Sequence, residues 1–139
     1  MRNISFSATT EKLRTHQKHV TRRLIRPGHR SIWTDLQPDE RLMGVEKGQG
    51  LKKGEKVVQL GEIVVLDATP EPLDEIIRCP LRINNYTISF DPKYFLSEVT
   101  MEGFPDLTPQ QFVDIFCEMN KCKPDAQIVR ILFDYVGKP

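Results

Sequence analysis

The order of short period-two segments and two helical ones is what most constrains this chain. The last segment alternates through Val129, Ile131, Phe133 and Tyr135, which reads as a half-buried strand. Asn3 to Phe6 reads as a short first strand, and Val20 to Ile25 as another. In the latter, Thr21 and Arg23 share one side while Val20, Arg22 and Leu24 share the other, because strand side chains alternate faces. Pro27-Gly28 ends it. Arg41 to Glu46 is a further strand, followed by the Gly/Lys-rich turn 47–54. That turn lacks the Gly-Lys-Ser/Thr ending of a phosphate loop. Lys56 to Leu60 and Glu62 to Leu66 flank Gly61 as one bulged strand or two short ones.

Two helices complete the pattern. Thr9 or Thr10 caps one that runs to about Lys18. Thr108-Pro-Gln-Gln111 starts the other, with Thr108 as N-cap, Pro109 in the first turn and Gln111 closing a capping box. Phe112, Val113, Phe116 and Met119 give it an apolar face. Pro72 to Ile77 reads as a helical turn. Residues 81–90 read as a hairpin turning at Asn84-Asn85, with Leu81, Ile83, Tyr86 and Ile88 on one apolar side that needs cover. About six strands and two helices in mixed order predict an α+β chain. The expected form is a small, nearly closed mixed β-barrel with peripheral helices rather than a doubly wound sheet.

The 139 residues suit one domain, spanning 1–139, and can bury a core without staples. No apolar run approaches the roughly 18 residues of a membrane span. The start Met-Arg-Asn-Ile-Ser-Phe lacks the apolar stretch of a signal peptide, so a cytoplasmic location and no membrane partner are expected. Cys79, Cys117 and Cys122 form no disulfide framework, and no second Cys/His pair follows them at ligand spacing. Buried or half-buried thiols, no metal and no cofactor are the expectation. The net charge of +1 hides an asymmetry. Residues 1–30 carry eight basic side chains against one acid, Glu11, and the rest of the chain has a net charge of −6. Such a segment suits phosphate or forms a solvated face.

The residues richest in chemistry are Lys18-His-Val-Thr21-Arg-Arg23. A helix-to-strand junction there aims an amine, a hydroxyl and a guanidinium into one cleft. A hydroxyl needs a base to become a nucleophile, and a lysine in a dry, cationic site has its pKa lowered toward that role. Glu102, in Glu102-Gly-Phe-Pro-Asp-Leu-Thr-Pro109, sits just before the capped helix and completes an acid/base set. The alternative for these residues is structural: Lys18 and Glu102 form an ion pair and Thr21 fills a polar strand position.

Taken in order, Lys-x-x-Thr-x-Arg, Glu-Gly-Phe-Pro and the ending Val-x-Arg-Ile-x-Phe-x-Tyr resemble ASCH-domain proteins. The likeness is strongest to small ASCH proteins of bacteriophage genomes. Those share an Arg-Asn-Ile-Ser-Phe start, a Val-Glu-Lys-Gly-Gln-Gly-Leu-Lys-Lys-Gly-Glu middle and a Phe-Cys-x-x-Asn-x-Cys-x-Pro-Asp tail. The resemblance implies a PUA-like fold and RNA or a modified nucleoside as partner. One branch removes the acetyl group of N4-acetylcytidine, and its catalytic Lys, Thr and Glu fall on Lys18, Thr21 and Glu102. Arg22, Arg23 and Arg26 of the basic stretch, with Glu46 and Phe104 of the matched motifs, are then the expected substrate contacts. Against the compact amidohydrolases, residues 80–97 read as a β-hairpin insertion flanking the cleft. Other ASCH-like proteins cut RNA or bind it without turnover, so an amidohydrolase, a ribonuclease and a binding module all stay open.

Overall fold

A computed structural model describes residues 1–28, 33–47, 51–82 and 97–137. Its strands are β1 (Arg2–Ser5), β2 (Val20–Leu24), β3 (Arg41–Val45), β4 (Gln59–Pro72) and β5 (Gln127–Tyr135). Its helices are α1 (Thr10–Arg14), α2 (Glu75–Arg78), α3 (Glu98–Met101) and α4 (Pro109–Asn120). The strands form one sheet in the order β1-β3-β4-β5-β2. Only β1 and β3 run parallel; the other neighbours are antiparallel. The result is a mixed α+β chain with a curled five-strand half-barrel and short helices, consistent with the small barrel-like form expected from the pattern.

The curl has local causes. The segments on either side of Gly61 form one strand, β4, with register shifts opposite Gly44/Val45 and between Val65 and Asp67. Gly61 has φ +147°, where a side chain would be strained. Each irregularity bends and twists the strand, so β4 wraps far enough to pair with β3 at one end and β5 along most of its length. At Gly44, α1 approaches the sheet closely: a Cβ there would lie 2.6 Å from Leu13 Cδ2.

Strand β5 is buried on both faces, not half-buried. Val129, Ile131 and Phe133 join Ile4, Phe6, Leu13, Leu42 and Ile63 in the core inside the curl. On the other face Ile128 packs with Leu73, Ile76, Val99, Phe112 and Val113, and Leu132 with Val20 and Met101. Alternation predicts a wet second face, but α2, α3 and α4 cover it. Each such buried aliphatic or aromatic side chain contributes about 1.5–3 kcal/mol.

Helix α4 has its full capping box: Gln111 N donates to Thr108 Oγ1 at 3.1 Å, and Thr108 N to Gln111 Oε1 at 2.9 Å. Phe112 and Val113 are buried, but Met119 is 65% exposed and does not belong to the core. Helix α1 stops at Arg14, short of Lys18, because His16 takes a left-handed φ of 60°. Of the thiols, Cys117 and Cys122 are half-buried as expected, whereas Cys79 is exposed. No described helix is long and apolar enough to cross a membrane.

The expected hairpin turn at Asn84-Asn85, with Ile83, Tyr86 and Ile88, lies outside the described residues, as do Arg30 and the centre of the 47–54 turn. The described ends of the 80–97 segment meet in a single antiparallel bridge, Leu81 to Ser97. Leu81 is 64% exposed there, so it is not part of a covered apolar side.

Candidate functional site

Four pieces of chain converge on one cavity of about 280 Å³: the end of β1 with the turn into α1, strand β2, the turn after α3, and one face of α4. Lys18, Thr21, Arg22, Arg23, Glu102 and Phe104 all line it. Residues 84 apart in sequence are thereby brought together.

The Lys18 segment is fixed from its backbone. The Tyr135 hydroxyl donates to the Lys18 carbonyl, and the Tyr135 ring stacks on His16 at 3.8 Å. His19 N donates to the Met101 carbonyl at 2.8 Å, which ties this junction to the turn carrying Glu102. That turn depends on Gly103, whose φ is +101° and whose Cβ position lies 3.3 Å from both Lys12 Cβ and Thr9 Cγ2. A side chain there meets strain and crowding together, which explains why glycine follows the glutamate.

Lys18 Nζ donates to Glu102 Oε1 at 3.0 Å and also to the Glu102 carbonyl. The ion pair weighed as a structural alternative is thus present, inside the cavity. An ammonium has three donors, so one is left for another acceptor. Burial pushes the Lys18 ammonium below its ordinary pKa, and the neighbouring Glu102 only partly offsets this. Thr21 is buried on β2, and its hydroxyl makes no hydrogen bond to the described residues.

Behind this pair stands a network that sequence reasoning missed. Arg22 donates to Glu102 Oε2 at 2.8 Å and to Glu98 Oε1 at 2.7 Å. Arg130, on the central strand β5, binds both Glu98 oxygens, at 2.6 and 2.9 Å. Arg82 binds both oxygens of Glu71 at 2.8 Å and approaches Glu98 at 3.9 Å. Burial works against charge on Arg22, but Glu102 and Glu98 hold its pKa above the ordinary value. Burial likewise opposes ionisation of Glu98, yet Arg130 and Arg22 keep its pKa below the usual carboxylate value. Two signals pointed here: Arg130 is the one charge inside the apolar run 128–133, and Glu98 and Glu102 are four apart, on one face of a helical turn.

The network corrects the place of Arg22. Although it lines the cavity, its side chain is fully buried and its terminal nitrogens are committed to Glu98 and Glu102, so it does not form a phosphate-facing rim. Arg26 and Glu46 are not brought to this cavity. Arg26 lies past the end of β2 and lines a second cavity with Lys121 and Lys123. Glu46 is exposed beyond the end of β3, where its N–H pairs with the Val58 carbonyl. The opposite wall is apolar: Phe104, Leu107, Phe112, Ile115, Phe116 and Met119. Lys18 Nζ lies 6.0 Å from the ring centres of Phe6 and Phe104.

No family model and no curated protein matches this sequence. Among solved structures, the chain is similar to protein EF3133 from Enterococcus faecalis V583, described under the family model DUF984. The TM-score is 0.54 and the identity 12%, over 97% of this chain and 79% of the other. At that identity the likeness speaks to the small curled-sheet fold alone.

Proposed function

We propose that this chain is a PUA-like protein of the ASCH type, and that its cavity is an amidohydrolase site for an N4-acylated cytosine nucleoside. One observation carries the reading: a buried lysine of lowered pKa, an unengaged threonine hydroxyl and a carboxylate that grips the lysine line the same cavity. In this scheme the Lys18 amine takes the Thr21 proton as Thr21 Oγ1 attacks the acyl carbon. The C–N bond then breaks, and the leaving amine regains a proton from the Lys18 ammonium. Water hydrolyses the ester left on Thr21, releasing the acid. Glu102 accepts from both Lys18 and Arg22, which suits it to positioning the base. The apolar wall with Phe104 gives a planar base a face to lie on.

Incubation with N4-acetylcytidine, followed by chromatography, tests this. Equimolar cytidine and acetate are expected, with none from Thr21→Ala. RNA binding without product instead supports a binding module, and cut strands with a 2′-hydroxyl requirement support a ribonuclease.

A further inference from the structure

Three cations line the cavity, and one of them has no counter-ion. Lys18 has Glu102, and Arg22 has Glu98 and Glu102. Arg23 has no carboxylate within salt-bridge distance among the described residues. Of its five N–H donors, one is used, from Nη2 to the Ser5 carbonyl at 2.5 Å, and Nε is buried without a partner. Its guanidinium lies 5.3 Å from the Phe6 ring centre. Glu102 offsets its burial only from a distance, because Glu71, Glu98 and Glu102 are committed to Arg82, Arg130, Arg22 and Lys18. Among the described residues of the cluster, five cations face three carboxylates. Burial lowers the Arg23 pKa to about 10, so the group is still charged at neutral pH.

Arg23 is half-buried, and a partly desolvated cation without a paired anion is costly to folding. An anionic ligand group restores the balance, and a guanidinium offers paired donors that match phosphate geometry. We propose that the ligand of this cavity is a phosphorylated nucleoside, with Arg23 as the residue that receives its phosphate. This rests on the nucleoside reading of the cavity, since phosphate is the anionic group that turns a nucleoside into a nucleotide.

Calorimetric titration at fixed ionic strength with cytidine, cytidine 5′-monophosphate, cytidine 3′-monophosphate and inorganic phosphate tests the assignment. One of the nucleotides is expected to bind about tenfold or more tightly than cytidine, a difference of about 1.4 kcal/mol. Arg23→Gln is expected to abolish that advantage, so that nucleotide and cytidine bind the variant with similar affinity. Equal affinity of the wild type for nucleoside and both nucleotides overturns the proposal, as does a preference that survives Arg23→Gln. If no cytosine compound binds but inorganic phosphate does so in an Arg23-dependent way, the nucleoside reading fails and the anion receptor stands. Should Arg23→Gln not fold, Arg23→Lys keeps the charge without the paired geometry. A smaller advantage of nucleotide over cytidine is then expected, and an unchanged advantage overturns the assignment.

Discussion

Arg130, on the most buried strand of the sheet, grips both carboxylate oxygens of Glu98, which opens the short helix before the Glu102 turn. The candidate site is therefore hung from the core by a charge pair and not by apolar packing alone. Among the described residues, Glu98→Gln removes the only anion that Arg130 contacts at hydrogen-bond distance and half the support of Arg22. Breaking one partner of a buried pair costs about 3–5 kcal/mol. Urea denaturation of Glu98→Gln is expected to show a loss of that size, and a loss under about 1 kcal/mol would mean the pair is solvent-screened.

The two ends of the Lys18–Glu102 pair are not equivalent. Glu102 keeps Arg22 when Lys18 is replaced, whereas Lys18 keeps no carboxylate when Glu102 is replaced. The cluster also carries excess positive charge, so losing a cation relieves it and losing an anion worsens it. Lys18→Met is expected to cost less stability than Glu102→Gln, by more than about 1 kcal/mol. Denaturation midpoints of the two variants, measured side by side, check the order. The reverse order would contradict the charge argument.

Lys18 also sets a pH dependence. Its folded pKa lies below the ordinary 10.5, so between those values the unfolded chain binds more protons than the folded one. Stability from this group therefore rises with pH across that window. Arg23, lowered to about 10, acts in the same direction at higher pH, above that value. In the amidohydrolase scheme the same ionisation yields the free amine, so kcat/KM is expected to rise along a limb centred below 10.5. A profile with no ascending limb would remove Lys18 as the base.

Glu98 has the opposite linkage. Its folded pKa is depressed below 4.5, so its stabilisation is full above 4.5 and is lost as the pH falls through the lower folded value. Stability measured through the acid range should fall more steeply in the wild type than in Glu98→Gln. Parallel acid curves would assign acid unfolding to other carboxylates.

Gly44 tests how α1 is seated. A Cβ there would sit 2.6 Å from Leu13 Cδ2 and 3.1 Å from the Gly61 carbonyl oxygen. Leu13 can turn aside, but the Gly61 backbone cannot. Gly44→Ala is expected to destabilise by about 1–3 kcal/mol, the usual range for overpacking. A neutral result on thermal unfolding would show that α1 shifts freely.

What the sequence revealed, and what it hid, follows from the range of the interactions. The α4 capping box joins residues three apart, and its signature is local. The β2 strand, the irregularity at Gly61 and the half-buried Cys117 and Cys122 were legible for similar reasons. Glu98 was not, because its partners Arg22 and Arg130 come from β2 and β5 and meet it only after the sheet has curled. Period-two alternation in β5 gave the strand but not its second covered face, since helices elsewhere in the chain supply that cover. Met119 has helical spacing with Phe112 and Phe116, yet it lies at the mouth of the cavity and is largely exposed, which spacing alone does not reveal.

Open strand edges are hazards, because unpaired N–H and C=O groups recruit other chains. Among the described residues the sheet has two such edges, β1 and β2, and it curls until Arg23 on one reaches the Ser5 carbonyl on the other. A bulky cation occupies the space where a further backbone ladder would run, and a stranger's strand meets charge and the wall of α4 in that place. The gap that holds the cavity is thus also a guard against edge-to-edge aggregation. Filling it with apolar side chains would endanger solubility as well as binding.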